Sequence, residues 1–156
     1  MIPLPRRRGP VLLTVATASL LVAAGLIITP AHADTTEHIT NGTFDSGTDP
    51  WWATANTTIT ATGGQLCAQV PAGAANAWDA SLGYNGVPLV SGASYHLTFT
   101  ASASAPVTVK ANVQLNESPY TAVLSRDLAL TPAAQPVSYD FTSTIDSSNG
   151  TLTFQL

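Results

Sequence analysis

The stretch from Val107 to Asn116 holds the residues best suited to recognition chemistry. Thr108, Lys110, Asn112, Gln114 and Asn116 alternate there with Val107, Val109, Ala111, Val113 and Leu115. In an extended strand successive side chains point to opposite faces, so setting the apolar five against a core lines up the polar five in one row. Each Asn or Gln offers two donors and a carbonyl acceptor, and a sugar hydroxyl both donates and accepts. Lys110 adds a donor for hydroxyl or ring oxygens. Uncharged amides also cost less to dry than carboxylates do. The plain alternative is the solvated face of a half-exposed sheet.

Aromatic residues add to the row. Trp51, Trp52, Trp78, Tyr84 and Tyr120 fall at or near expected turns and strand ends. Pyranose rings carry patches of C–H that pack on aromatic faces, and an indole or phenol adds one polar contact. Core filling competes with this reading. Adjacent residues on extended chain point opposite ways, so of Trp51 and Trp52 one is expected inside and the other outside.

Catalytic constellations are missing. A glycosidase needs two carboxyls at a set separation. The acids Asp45, Asp49, Asp79, Glu117, Asp127, Asp140 and Asp146 fall mostly in turn-like sequence, where such residues shape the turn. After the first 33 residues only His38 and His96 remain, with no nucleophile motif and no metal-ligand spacing. No catalytic residue is assigned.

The elements that must position the row read as strands. Alternation runs through Tyr95–Ala101, Val107–Leu115, Val137–Phe141 and Leu152–Leu156. Shorter strands are expected at Ile59–Ala61, Gln65–Val70, Ala80–Tyr84 and Tyr120–Leu124. Turn signals separate them, among them Gly63-Gly64, Pro71-Ala72-Gly73, Asn85-Gly86, Ser91-Gly92 and Asn149-Gly150. Many short half-buried strands between close turns describe an all-β sandwich or barrel.

The chain opens on Arg6-Arg7-Arg8, an apolar run from Val11 to Ile28, and Ala31-His32-Ala33. These are the three parts of a secretory signal peptide over residues 1–33, so a secreted, extracellular product is expected. Residues 34–40 read as an N-terminal arm, loose over 34–38, and residues 41–156 as one module. Beyond the signal peptide two bases, Lys110 and Arg126, face nine acids, a formal charge of −7. Nucleic acids are held mainly through Lys and Arg, so neither they nor an anionic membrane surface fit this chain as partners. The expected partner is neutral, and a monomer is expected. The chain ends on Thr151–Leu156, within a good alternating strand, which reads as a module cut before its last strand.

A family likeness emerges from several pieces taken in order. They are Asn41-Gly42-Thr43-Phe44-Asp45, Trp51 or Trp52, Gly64 to Gly73, Asn85-Gly86-Val87, Gly92-Ala93-Ser94-Tyr95, Val107-Thr108-Val109-Lys110, Asn116-Glu117-Ser118-Pro119-Tyr120 and Phe154-Gln155-Leu156. Together they resemble family 4 (4/9-type) carbohydrate-binding modules, in particular the N-terminal cellulose-binding modules of secreted bacterial family 9 endoglucanases. The resemblance implies a β-sandwich jelly roll with an open cleft. It implies a non-catalytic function: holding single β-1,4-glucan chains, as in amorphous cellulose or cello-oligosaccharides, and targeting an attached glycoside hydrolase to polysaccharide. Asn85, Lys110, Asn116 and Gln155 would be polar cleft residues and Tyr120 a cleft aromatic. Lys110 stands where relatives have Arg, so a forked contact is lost.

Trp78 stands at a Tyr position of the family. Thr54 replaces another cleft Tyr, a role that a small register shift gives to Trp52. Thr151 replaces a cleft Gln. Related modules bind xylan or β-1,3-glucan, and both remain open alongside a structural or adhesive cell-surface sandwich without a sugar ligand. In these relatives the residue matching Cys67 pairs with a Cys on the last strand, so the resemblance implies a free thiol here. It also implies a structural calcium site that uses Thr43 and Gly64 backbone oxygens with an Asp from that strand, and so is incomplete here.

Overall fold

The computed structural model describes residues 36–70 and 75–156. The expected signal peptide and the turn at 71–73 lie outside them. Nine strands are described: β1 (Trp52–Ala53), β2 (Thr58–Thr62), β3 (Gln65–Gln69), β4 (Ser81–Leu89), β5 (Ser94–Ala101), β6 (Val107–Leu115), β7 (Ala122–Leu130), β8 (Gln135–Thr142) and β9 (Ser147–Gln155). A 3₁₀ turn, Ala77–Asp79, precedes β4. Five strands form the main sheet in the order β1-β4-β9-β6-β7, while β2 pairs with β3 and β5 with β8. Every pairing is antiparallel. The expected all-β sandwich is what the chain forms.

Alternation places the core between the main sheet and the β5–β8 pair. Tyr84, Val87 and Leu89 of β4, Val113 of β6, Leu124 of β7 and Leu152 of β9 form its buried centre. Tyr95 and Leu97 of β5 pack on it, as do Tyr139 and Phe141 of β8. Tyr95 stacks on Phe141 at 5.3 Å, and Phe99 meets Phe154 edge-on at 5.1 Å across the layers. A fully buried Leu such as Leu89, 2% exposed, contributes on the order of 1.5–3 kcal/mol by leaving water.

Several expectations need correction. Asn85-Gly86 is no hairpin turn: β4 runs on to Leu89, with a register shift between Asn85 and Val87 and Gly86 at φ +81°. A bulge uses the same left-handed glycine that a tight turn does. Asn149-Gly150 likewise lies inside β9, where Gly150 pairs with Val87 and Leu115. β7 begins at Ala122 and reaches Leu130, past the expected Leu124. Val107, at the start of β6, is 43% exposed and not in the core. Tyr84 is a core residue, not a rim aromatic.

The end of the N-terminal arm is held. Ile39 packs on the core, and the Thr40 N–H donates to the Tyr84 hydroxyl at 3.3 Å.

Candidate binding groove

The face of the main sheet turned away from the core carries the site. Antiparallel register aligns its side chains in three cross-strand ranks. Asn85, Thr151 and Gln114 form one; Gly83, Thr153 and Asn112 the next; Ser81, Gln155 and Lys110 the third. Directly opposed residues share a face. The polar row expected along β6 is therefore one of three polar rows, and β4 and β9 supply the others.

A groove of about 550 Å³ lies over these ranks. Thr151, Thr153 and Gln155 of β9, Ser81 of β4 and Gln114 of β6 line it, with Asn116 just past the end of β6. Trp52, Thr54 and Trp78 line it as well, and so does Tyr120 from the β6–β7 loop. Among the described residues the lining includes no Asp, Glu, Lys, Arg or His. It thus combines hydroxyls and amides with three aromatic side chains, and its size is common to small-ligand sites, about 300–1,000 Å³.

Local structure explains how each aromatic is presented. Trp51 and Trp52 do split between faces. Trp51 packs on Phe44 and Tyr84 at 5.3 and 5.6 Å, while Trp52 lines the groove. Trp78 rides on the 3₁₀ turn and is 64% exposed. That turn is tied at both ends. Asp79 accepts the Asn76 N–H at 3.0 Å, and the Thr54 hydroxyl donates to the Asp79 carbonyl at 2.9 Å. Tyr120 sits in a loop closed by Leu115 N–H to Thr121 O at 3.0 Å. Its φ of +56° lies in the left-handed region, which a bulky residue enters at a cost of about 1–3 kcal/mol. The 58% exposed ring is held over the groove despite that cost.

Six of the nine residues expected in the cleft line the groove: Trp52, Trp78, Gln114, Asn116, Tyr120 and Gln155. Three do not. Asn85 is turned to Trp52, whose Nε1–H donates to Asn85 Oδ1 at 2.8 Å. Lys110 gives its ammonium to Asp127, the residue opposite it on β7. Asn112 is 4% exposed, in the middle of the sheet between Thr153 and Ser125, and is not among the residues that line the groove. Ser81 and Thr153 were not picked out from the sequence. They follow once β9 is known to lie between β4 and β6, since they alternate with core residues Leu82 and Leu152.

Other chemistry is not gathered at the groove. Asp146 accepts the Ser91 N–H at 2.8 Å and Asp79 holds its own turn, both shaping local backbone as acids in such sequence do. His96 Nδ1 lies 2.6 Å from Asp140 Oδ1, and Ser138 Oγ lies 3.5 Å from Nε2, a cross-strand contact between β5 and β8 that sequence spacing hides. All three are exposed on the outer face of the sandwich. A hydrolytic triad instead works in a water-excluded site with donors for an oxyanion.

The two residues expected at a calcium site are neighbours, since a Cβ built on Gly64 would lie 3.5 Å from the Thr43 carbonyl oxygen. Calcium takes six to eight oxygens, usually with carboxylates among them. Among the described residues no group of three or more His, Cys, Asp or Glu is suited to a metal. These residues alone do not fit the ion. Cys67 on β3 is exposed and free.

The family CBM_4_9, Carbohydrate binding domain, matches residues 36–156. The chain belongs to this family. It is a carbohydrate-binding module, not a catalytic domain. It is 36% identical to endoglucanase C of Cellulomonas fimi over 159 residues, which takes in 96% of this chain and 14% of that enzyme. The module thus spans about a seventh of that relative's length. Among solved structures, a CBM4 module at 36% identity superposes with a TM-score of 0.68, over 73% of this chain and 86% of that one. The N-terminal cellulose-binding domain of Cellulomonas fimi β-1,4-glucanase C, also 36% identical, gives 0.64 over 78% and 85%.

Proposed function

We propose that the module holds single β-1,4-glucan chains, as in amorphous cellulose and soluble cello-oligosaccharides, in this groove. In doing so it keeps an attached glycoside hydrolase on polysaccharide outside the cell. One observation carries the reading: a groove lined by three aromatics and a hydroxyl- and amide-bearing floor, with no charged side chain. Sugar rings pack their C–H faces on Trp52, Trp78 and Tyr120. Gln114, Asn116 and Gln155 exchange hydrogen bonds with ring hydroxyls. Each such bond replaces one to water and returns only about 0.5–1.5 kcal/mol. Affinity therefore grows with the number of sugar units spanned. The likeness to a cellulose-binding domain supports glucan over other neutral polymers.

Affinity electrophoresis of the full chain through gels containing hydroxyethylcellulose, xylan or laminarin tests the proposal. Retardation by hydroxyethylcellulose is expected. Retardation by xylan or laminarin alone would reassign the ligand, and free migration through all three would end the sugar-binding account.

A further inference from the structure

Trp52 lines the groove from a two-residue edge strand, and its ring is fixed by what lies beneath and beside it. Beneath is Gly83. A Cβ there would stand 2.6 Å from Trp52 Cζ2 and 2.9 Å from Cε2, so only the absence of a side chain lets the indole lie on the sheet. Beside it is Asn85, whose Oδ1 accepts the indole N–H at 2.8 Å. The same oxygen is 2.9 Å from the Thr151 hydroxyl, which also reaches the Tyr84 carbonyl at 3.1 Å. An indole N–H only donates, so the amide must face Trp52 with its oxygen. The Thr151 hydroxyl shares its one hydrogen between that oxygen and the Tyr84 carbonyl, whereas the indole N–H is committed to Asn85. Trp52 and Thr151 line the groove, and Asn85 does not.

We propose that Asn85 is a positioning residue: it aims the Trp52 indole, and it contributes to glycan binding through that ring instead of touching the sugar. Asn85 makes this cross-strand contact to β1 from the last regular pair before the register shift at Gly86. A ring already held needs no further ordering when sugar arrives. Ordering a free side chain on binding costs roughly a factor of 2 to 10 in affinity. The inference rests on the reading of the groove as a glycan site.

Two measurements on the full chain test it. In ligand-free ¹⁵N-labelled protein, with the three indole signals assigned by single Trp→Phe variants, Asn85→Ala should move the Trp52 Nε1–H resonance and quicken its exchange with solvent. Asn85→Asp, which keeps an acceptor oxygen, should restore slow exchange. An unmoved Trp52 signal overturns the proposal.

In titrations with cellohexaose, Asn85→Ala should weaken binding by about 2- to 10-fold in the wild-type background and by less than about 1.5-fold in Trp52→Ala. An equal loss in both backgrounds would mean that Asn85 touches the sugar directly, and would overturn it. Thermal melts of each variant confirm that the fold is kept. Should the wild-type chain bind no glycan, the functional reading fails while the ligand-free resonance still decides whether Asn85 aims the ring.

Discussion

Tyr120 joins a conformational cost to a functional position. Its φ of +56° suits glycine, and its exposed ring lines the groove. Tyr120→Gly should weaken binding to cellohexaose by about 3- to 10-fold through the lost aromatic contact. The same change should leave the melting temperature unchanged or raised, because the left-handed strain of about 1–3 kcal/mol is relieved. Calorimetric titration beside a thermal melt reads both; intact affinity would remove Tyr120 from the site. Gln114→Ala and Gln155→Ala should each lower affinity by about 2- to 10-fold, the worth of a single hydrogen bond. Lys110→Met should cost less than about 2-fold, since the ammonium is engaged by Asp127. A loss near 10-fold in the same titration would put Lys110 on the sugar. Residue types were legible from the sequence, because amides and aromatics at alternating positions already describe a sugar-binding surface. Orientation was not. Trp52 to Asn85 and Lys110 to Asp127 are cross-strand contacts, set by register that no local pattern encodes.

Elements were legible where apolar and polar residues alternate regularly in sequence. β6 was read from Val107 to Leu115 and spans those residues, because its apolar face alternates cleanly. Reading failed where the ladder is irregular. Asn85-Gly86 and Asn149-Gly150 look like turns, yet they sit within β4 and β9. Left-handed glycine serves the bulge at Gly86, and Gly150 answers a close approach: a Cβ there would lie 2.5 Å from the Val87 carbonyl oxygen. β7 escaped notice past Leu124 because Ser125, Arg126 and Asp127 are three consecutive polar residues, which interrupt its alternation although the ladder with β6 stays regular there. Gly83 bears most on function. A Cβ at that position would lie 2.4 Å from the Leu152 carbonyl oxygen and would strike the Trp52 ring. Gly83→Ala should cost about 1–3 kcal/mol in denaturant unfolding and weaken cellohexaose binding as the indole is displaced. Wild-type stability in that variant would mean that β4 and β9 are less tightly apposed than the structure has them.

For the whole molecule, composition narrowed the partner more than any motif did. Two bases against nine acids beyond residue 33 left little to hold a polyanion. The groove lining, free of ionised side chains, fits a neutral polymer. Binding should therefore be almost indifferent to ionic strength. Raising salt from about 0.05 to about 0.5 M should change the dissociation constant by less than about 2-fold, whereas charge-driven contacts would weaken far more. The two faces of the sandwich make a sharper comparison. One presents the aromatic-bordered amide floor; the other presents exposed His96, Thr98 and Asp140. Backbone and side-chain amide shifts recorded while cellohexaose is titrated into ¹⁵N-labelled protein test the central claim most directly. Perturbations are expected at Gln114, Asn116 and Gln155 and at the Trp52 and Trp78 indoles, with the β5–β8 face silent. Saturating sugar that moves none of these signals, or moves only those around His96 and Asp140, would contradict the account.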